Sequence, residues 1–179
     1  MTTRKVTLFT LSSLVLVAMM APTSAAAADH FLGGGLESWR TADGLPSGGD
    51  FEDIKDEGSS WVLSYQYRPA GLFRFELDLE YFKDGFGGST ETAVAPQAFV
   101  LVGKGFYGGI GAGLTFSDGF VDGVSDPFYM GRLGFEFSLL GSLKLDLHAT
   151  YRFDDWEGLE GIDVSTDTYT LGAAVRFKI

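Results

Sequence analysis

Polar and apolar residues alternate with a period of two along several stretches of this chain. Within Leu72 to Phe82, the charged residues Arg74, Glu76, Asp78 and Glu80 alternate with the apolar residues Phe73, Phe75, Leu77, Leu79 and Tyr81. Leu143 to Asp154 repeats the pattern, with the polar set Lys144, Asp146, His148, Thr150 and Arg152. Because successive side chains of a β-strand point to opposite faces, each stretch predicts a strand with one charged and one apolar face. Each has about the ten residues that a tilted strand needs to cross a membrane.

The alternation predicts eight strands in all. They lie at about His30–Trp39, Ser60–Arg68, Leu72–Lys83, Pro96–Gly103, Gly105–Ser117, Phe128–Leu139, Ser142–Asp154 and Thr168–Ile179. Proline has no N–H to donate to a strand ladder, so Pro96 is expected to begin its strand rather than to lie within it.

The connections between these strands alternate in length. Three are tight turns with the Gly or Pro that such turns require, namely Pro69-Ala70-Gly71, Gly103-Lys104-Gly105 and Leu140-Gly141-Ser142. Four are long and acidic, namely Arg40–Ser59, Asp84–Ala95, Asp118–Pro127 and Asp155–Asp167. In an up-and-down meander, short and long links fall at opposite ends, as they do in transmembrane barrels with short periplasmic turns and longer outer loops.

The face that points outward distinguishes a transmembrane barrel from a soluble, ligand-binding one. An eight-stranded barrel has room inside only for its own side chains or one small ligand. The apolar parity carries too many bulky aromatic residues for that space, so we expect them to face lipid and the small and polar residues to line the inside. The aromatic set is Trp61, Tyr65, Tyr67, Phe73, Phe75, Tyr81, Phe99, Phe135, Phe137, Tyr151, Phe153, Tyr169 and Phe177.

The inward set carries charges of both signs, and charges in a narrow lumen must be paired or hydrated. Its members are Glu37, Ser64, Gln66, Arg68, Arg74, Glu76, Asp78, Glu80, Arg132, Glu136, Lys144, Asp146, His148, Arg152, Arg176 and Lys178. The simplest arrangement is a network of salt bridges that plugs the barrel. Glu76, Asp78 and Glu80 could meet Arg68, and further partners could include Arg132, Lys144, Arg152 and Arg176, but the exact pairs depend on the shear of the barrel, which the sequence does not give.

The first 28 residues have the features of a cleaved secretory signal peptide. Arg4 and Lys5 precede an apolar run from Val6 to Met20, and the small-residue tract Ala25 to Ala28 supplies an A-x-A cleavage site. The remaining domain, residues 29–179, has a net charge of −13, because both early basic residues leave with the signal. So acidic a chain argues against nucleic acid as a partner. The chain has no Cys, so neither disulfides nor thiolate metal sites are expected.

The signal sequence, eight alternating strands, three tight turns and four long connections resemble the small outer-membrane β-barrel proteins of the OmpA/OmpX type. The final strand, Tyr169 to Ile179, resembles the C-terminal strand that the outer-membrane assembly machinery reads in that family. Family members typically end in an aromatic residue, whereas here Phe177 lies two positions before Ile179 on the same face. The resemblance implies an all-β, eight-stranded antiparallel up-and-down transmembrane barrel in a Gram-negative outer membrane, without a peptidoglycan-binding domain.

His148 and Thr150 are the candidate catalytic pair, two residues apart on one face of a predicted strand. Some eight-stranded outer-membrane barrels are lipid A deacylases that use a His, a Ser two residues later and an acid on another strand. A His-activated hydroxyl needs a third group that orients the base, and the sequence identifies none. We therefore interpret His148 as part of a charge network in the lumen.

Gly109, Gly111 and Gly113 superficially resemble a nucleotide-binding loop, but such a loop must open a helix, and none is predicted. These glycines, and Gly33 to Gly35, are expected to leave room for large neighbours inside the barrel.

Acidic residues cluster in two of the long connections, where carboxylates could hold Ca²⁺ or Mg²⁺ weakly and bridge lipopolysaccharide phosphates. The first cluster is Asp50, Glu52, Asp53, Asp56 and Glu57, and the second is Asp154, Asp155, Glu157, Glu160 and Asp163. No EF-hand spacing is present, and a solvated acidic rim is the simpler interpretation.

These observations favour a monomeric outer-membrane barrel with a structural or adhesion-like role, without catalytic residues, cofactor or metal. Its expected partners are outer-membrane lipids, lipopolysaccharide and the assembly machinery. A lipid A-modifying enzyme using His148, a narrow porin-like channel and a soluble ligand-binding barrel remain as alternatives.

Overall fold

The computed structural model describes residues 28–41, 57–69, 71–84, 86, 92–117, 124–153 and 167–179, and residues 1–27, which hold most of the expected signal peptide, lie outside this set. The described residues form nine strands. These are β1 (Asp29–Thr41), β2 (Glu57–Arg68), β3 (Phe73–Phe82), β4 (Ala93–Gly103), β5 (Phe106–Gly113), β6 (Phe116–Ser117), β7 (Phe128–Leu140), β8 (Leu143–Phe153) and β9 (Thr168–Lys178). No helix among the described residues is long and apolar enough to span a bilayer.

The strands form one closed antiparallel sheet. Successive strands pair with each other, except that β4 pairs with both β5 and β6, and β5 pairs with β7. Strand β1 pairs with β9, so the sheet returns to its first strand. The predicted fold class, an eight-stranded up-and-down barrel, is confirmed, because β5 and β6 both pair with β4 and together occupy one strand position of the barrel. Strands β1, β2 and β4 extend further into the predicted long connections than expected.

Pro96 explains why this strand position is divided into β5 and β6. The two strands pair with β4 in one register, from Gly113 opposite Gln97 to Ser117 opposite Ala93. Between these points the Leu114 N–H donates to the Pro96 carbonyl over 3.2 Å, and proline has no N–H to return the bond. The expectation that Pro96 begins its strand was wrong: it lies within β4, because one missing ladder bond is tolerated there.

The three predicted tight turns are confirmed and lie at one end of the barrel, the turn end. Each contains a glycine with positive φ, at 104° in Gly71, 134° in Gly103 and 41° in Gly141, where a side chain would be strained. Strand β1 begins and strand β9 ends at this same end, since Asp29 lies opposite Arg68, the last residue of β2, and Phe31 lies opposite Lys178. The opposite, loop end carries the four longer connections.

The outer surface is a belt of apolar side chains. Leu63, Leu77, Ile110, Leu147 and Leu171 all point outward and are exposed. The predicted aromatic set also lies on the outer parity, with Phe99 as the exception. Phe153 shares that outer face but is buried, because the rings of Tyr129 and Tyr151 pack against it.

The interior is less uniformly small and polar than expected. Near the loop end, Trp39, Phe82, Phe128 and Met130 form a buried apolar cluster, with Phe86 packed against it. Nearer the turn end, Phe99 is 3% exposed and lies inside. The prediction that Phe99 faces lipid was wrong, because both parities of β4 carry apolar residues and alternation could not orient that strand.

Candidate functional site: the charged interior of the barrel

The middle of the lumen holds two arginines around one shared carboxylate. Strands β3, β7 and β9 bring Glu76, Arg132 and Arg176 together from different sides of the barrel. Arg132 Nη1 donates to Glu76 Oε1 over 2.9 Å and to Asp78 Oδ2 over 2.7 Å. Arg176 Nη2 donates to the same Glu76 oxygen over 2.6 Å. Charge-assisted bonds of this kind are among the stronger ones in proteins, and all these groups are buried.

His148 joins this network between two acids. Its Nε2 lies 2.8 Å from Glu37 Oε1 and its Nδ1 lies 2.8 Å from Asp146 Oδ1. The Tyr107 hydroxyl also donates to Asp146, over 2.9 Å. Gly172 lies directly opposite His148 on β9, and the imidazole occupies the space that a side chain there would need.

The candidate pair His148 and Thr150 lies inside the barrel, as the alternation predicts. Thr150 Oγ1 accepts a hydrogen bond from Arg132 Nε over 2.9 Å, while both nitrogens of His148 contact carboxylates. The side chain of His148 is 1% exposed. The imidazole and the hydroxyl are therefore each held by other groups, an arrangement that suits a structural network better than an activated nucleophile.

A second network lies at the turn end around Glu136. Its carboxylate accepts from Arg68 through two nitrogens, from Lys144 Nζ over 2.8 Å and from Arg74 Nη1 over 3.4 Å. The expectation that Arg68 meets the acids of β3 was wrong. The stagger of the barrel directs Arg68 across the lumen to Glu136 on β7 and to its neighbour Gln66.

A third group lies towards the loop end. Glu80 accepts from the Ser60 hydroxyl over 2.5 Å and from Gln97 Nε2 over 2.6 Å. Arg152 places its guanidinium carbon 3.3 Å from the centroid of the Phe128 ring, and its Nη2 donates to Thr115 over 2.7 Å. Cation–π contacts and hydrogen bonds to neutral side chains therefore hold the charged groups at this level of the lumen.

Phe99 and Tyr107 are interior residues that the sequence reasoning did not find. The available signal was the glycine series on β5: Gly111 lies opposite Phe99, and a side chain there would collide with the Phe99 ring. The expectation that these glycines leave room for large neighbours is confirmed at Gly111 and at Gly113, which faces the Phe128 ring, whereas a Cβ at Gly109 would meet the backbone of Val100 and Leu101. It is also confirmed at Gly33, where an added Cβ would lie 2.6 Å from Arg176 Cγ.

Two groups of expected residues lie away from this site. Lys178, expected inside, is half exposed at the turn end, where its Nζ lies 2.6 Å from Asp29. The acidic clusters of the long connections fall outside the described residues, apart from Glu57, which pairs with Arg40 at the exposed loop end.

Comparison with known proteins finds solved structures of similar fold. No protein-family model matches the chain. No curated protein matches it either. The solved structure of Neisserial surface protein A is similar over 86% of this chain and 99% of that chain, with 18% identity and a TM-score of 0.57.

Two further structures match less well. Ail, the attachment invasion locus protein of Yersinia pestis, solved with a heparin analogue, matches over 85% of this chain and 99% of that chain, at 14% identity and a TM-score of 0.49. The outer membrane protein OprG of Pseudomonas aeruginosa matches over 85% and 93%, at 16% identity and 0.47. The likeness to the Neisserial protein is the one that establishes the fold. This chain folds as a small eight-stranded β-barrel of the outer-membrane type, which confirms the resemblance inferred from its sequence.

Proposed function

We propose that this protein is an integral outer-membrane barrel whose lumen is closed by its own side chains. The observation that carries the proposal is the combination of an apolar outer belt with paired charges inside. Leu77 and Leu147 point outward at mid-strand, whereas Glu76 and Arg132 are buried and paired. In water the opposite arrangement would be favourable, since apolar side chains would then be hidden and charges hydrated.

Three levels of side chains support a closed lumen. The Glu136 network occupies the turn end, the Glu76 network the middle, and the apolar cluster with Phe128 and Arg152 the loop end. A small eight-stranded barrel is commonly filled in this way. An ion that crossed the lumen would have to separate buried ion pairs, so we expect no steady conductance.

The biological role that fits best is structural or adhesion-like, exerted through the connections at the loop end. The proposed partners are outer-membrane lipids and lipopolysaccharide around the belt, and the assembly machinery at strand β9. The protein acts as a monomer in this proposal, and it binds no nucleic acid and uses no cofactor. Its location is the outer membrane of a Gram-negative cell, reached after removal of residues 1–28.

Cell fractionation combined with heat-modifiable gel mobility tests location and barrel closure together. We expect the protein in the outer-membrane fraction, with an unboiled band that migrates differently from the boiled one. Recovery in the periplasmic or cytoplasmic fraction would overturn the proposal.

Planar-bilayer recording tests the closed lumen. We expect no steady conductance from the purified wild type and intermittent leaks from Glu76→Gln, which removes the carboxylate shared by Arg132 and Arg176. Glu57→Gln is the matched control, because it removes an acid from an exposed pair at the loop end. A large, stable, ohmic conductance of the wild type would favour a narrow channel instead.

A further inference from the structure

The turn end of the barrel contains a cavity of about 400 Å³ that opens to the outside. We call it the vestibule. Its lining comes from the ends of β1, β2 and β3, from the turn at Gly103 to Gly105 and from the adjoining parts of β7 and β8. The charged residues that line it are Asp29, Arg68, Arg74, Lys104, Glu136 and Lys144.

Positive charge exceeds negative charge in the vestibule. Four of the lining residues are basic and two are acidic, which leaves an excess of two positive charges. One of the acids is already occupied, since Asp29 lies 2.6 Å from Lys178 Nζ outside the lining. Glu136 is therefore the lining carboxylate that forms ion pairs with Arg68, Arg74 and Lys144. Such an imbalance raises the local concentration of anions.

Arg74 is a lining residue of the vestibule with an unused hydrogen-bond donor. It is 2% exposed, its Nε donates to the Gly103 carbonyl over 2.9 Å, and its Nη1 reaches Glu136 only over 3.4 Å. Its Nη2 is buried and has no hydrogen-bond partner among the residues that the structure describes. A buried donor without an acceptor is costly, and more so on a charged group, so an acceptor supplied to Arg74 would be stabilising.

The middle of the lumen has the opposite charge balance. Arg176 Nη1 also lacks a hydrogen-bond partner among the described residues, but it lies 2.8 Å from an Asp146 oxygen. There Arg132 contacts Glu76 and Asp78, and Arg176 contacts Glu76 and Asp146, so acids outnumber arginines. The cationic excess of the vestibule thus contrasts with the acidic excess in the middle of the lumen, and it lies where the cavity opens to the outside.

We propose that the vestibule binds a doubly charged oxyanion of the phosphate class. The two negative charges of such an anion are balanced by the positive excess, which is two among the lining residues and three once Asp29 is paired with Lys178. Guanidinium groups suit the geometry of a phosphate, and the ammonium groups of Lys104 and Lys144 add point charges around it. The same chemistry is offered by free inorganic phosphate and by the phosphate monoester of a lipid headgroup.

Isothermal titration of inorganic phosphate into the folded barrel, in non-ionic detergent at neutral pH and low salt, tests this site. We expect saturable binding that weakens about tenfold in Lys144→Gln and in Lys104→Gln, because each loses one charge-assisted contact. Lys83→Gln is the matched control, since it removes the same charge at the loop end and should leave the affinity unchanged. Heat-modifiable mobility verifies folding, and exposed Lys104 decides the test if the Lys144 variant does not fold.

Micelles doped with a lipid phosphate monoester identify the source of the anion. If the lipid monoester competes with inorganic phosphate, the ligand is a lipid headgroup. If it does not compete, the ligand is the free ion. Both results support an oxyanion site. The proposal is overturned if phosphate gives no saturable heat, if chloride displaces it equally well at equal ionic strength, or if Lys83→Gln weakens binding as much as Lys144→Gln. Binding in detergent does not depend on which side of a membrane the vestibule faces, so failure here would leave the proposed location intact.

Discussion

The guanidinium carbon of Arg132 lies 3.7 Å from the centroid of the Phe99 ring, inside the barrel and beside the carboxylates of Glu76 and Asp78. The ring covers one face of the guanidinium, while the two acids accept its hydrogen bonds. Arg132 is therefore held by a cation–π contact and by ion pairs at once, which makes it the centre of the interior network.

Replacing Phe99 with Ala should lower the free energy of unfolding by about 3–5 kcal/mol, since it leaves a cavity and uncovers Arg132. Val100→Ala is the control, because Val100 points outward and is exposed. Urea titration of the barrel in lipid vesicles measures both. Equal, small effects of the two substitutions would show that Phe99 does not lie inside.

Glu76→Gln should be strongly destabilising, by about 3–5 kcal/mol, because two buried arginines lose the carboxylate that they share. Glu57→Gln removes an acid from an exposed pair and should cost no more than about 1 kcal/mol. Denaturant unfolding followed by tryptophan fluorescence compares the two variants. A Glu76 variant as stable as the wild type would argue against an interior held by paired charges.

The outer belt can be tested with charge at different depths. Arg at Leu77 or Leu147, both outward at mid-strand, should cost about 2–4 kcal/mol in bilayers. Arg at Leu140, next to the turn at Gly141, should cost only about 0–1 kcal/mol, because the cost falls towards the interface. Folding equilibria in vesicles give these values. If depth makes no difference, the belt does not lie in lipid.

Gly172→Ala tests how closely β9 approaches His148. A Cβ at position 172 would overlap the imidazole, which Glu37 and Asp146 hold in place, so we expect a loss of about 1–3 kcal/mol from overpacking. Gly131→Ala is the control, since nothing lies within 4 Å of an added Cβ there. Thermal unfolding in detergent would rank the two variants, and equal stability would contradict the tight contact.

Orientation in the membrane can be tested by cysteine labelling, because the natural chain has no Cys to interfere. Lys83→Cys, at the loop end, should react with an impermeant maleimide on intact cells. Lys104→Cys, in a tight turn, should react only after the outer membrane is permeabilised. Labelling of Lys104→Cys on intact cells would reverse the proposed orientation.

Much of the barrel follows from local pattern. Charge on one parity and apolar residues on the other determine that Glu76 and Leu77 point to opposite faces, because a strand alternates its side chains whatever it pairs with. The turns at Gly71, Gly103 and Gly141 were equally predictable from the sequence, since each needs a residue that tolerates positive φ. The interior placement of His148 and Arg132 follows from the same parity.

Other features depended on the closed sheet. Strand β4 is apolar on both parities, so only its register against β3 and β5, which places Phe99 beside Glu76 and Gly111, determined which face points inward. The partners of Arg68 likewise could not be predicted from the local alternation of residues. Its contact with Glu136 spans 68 residues of sequence and depends on the stagger of the strands around the barrel. Parity assigns a side chain to the lumen, but its height and its angle around the axis decide which charge it meets, and those are properties of the closed barrel as a whole.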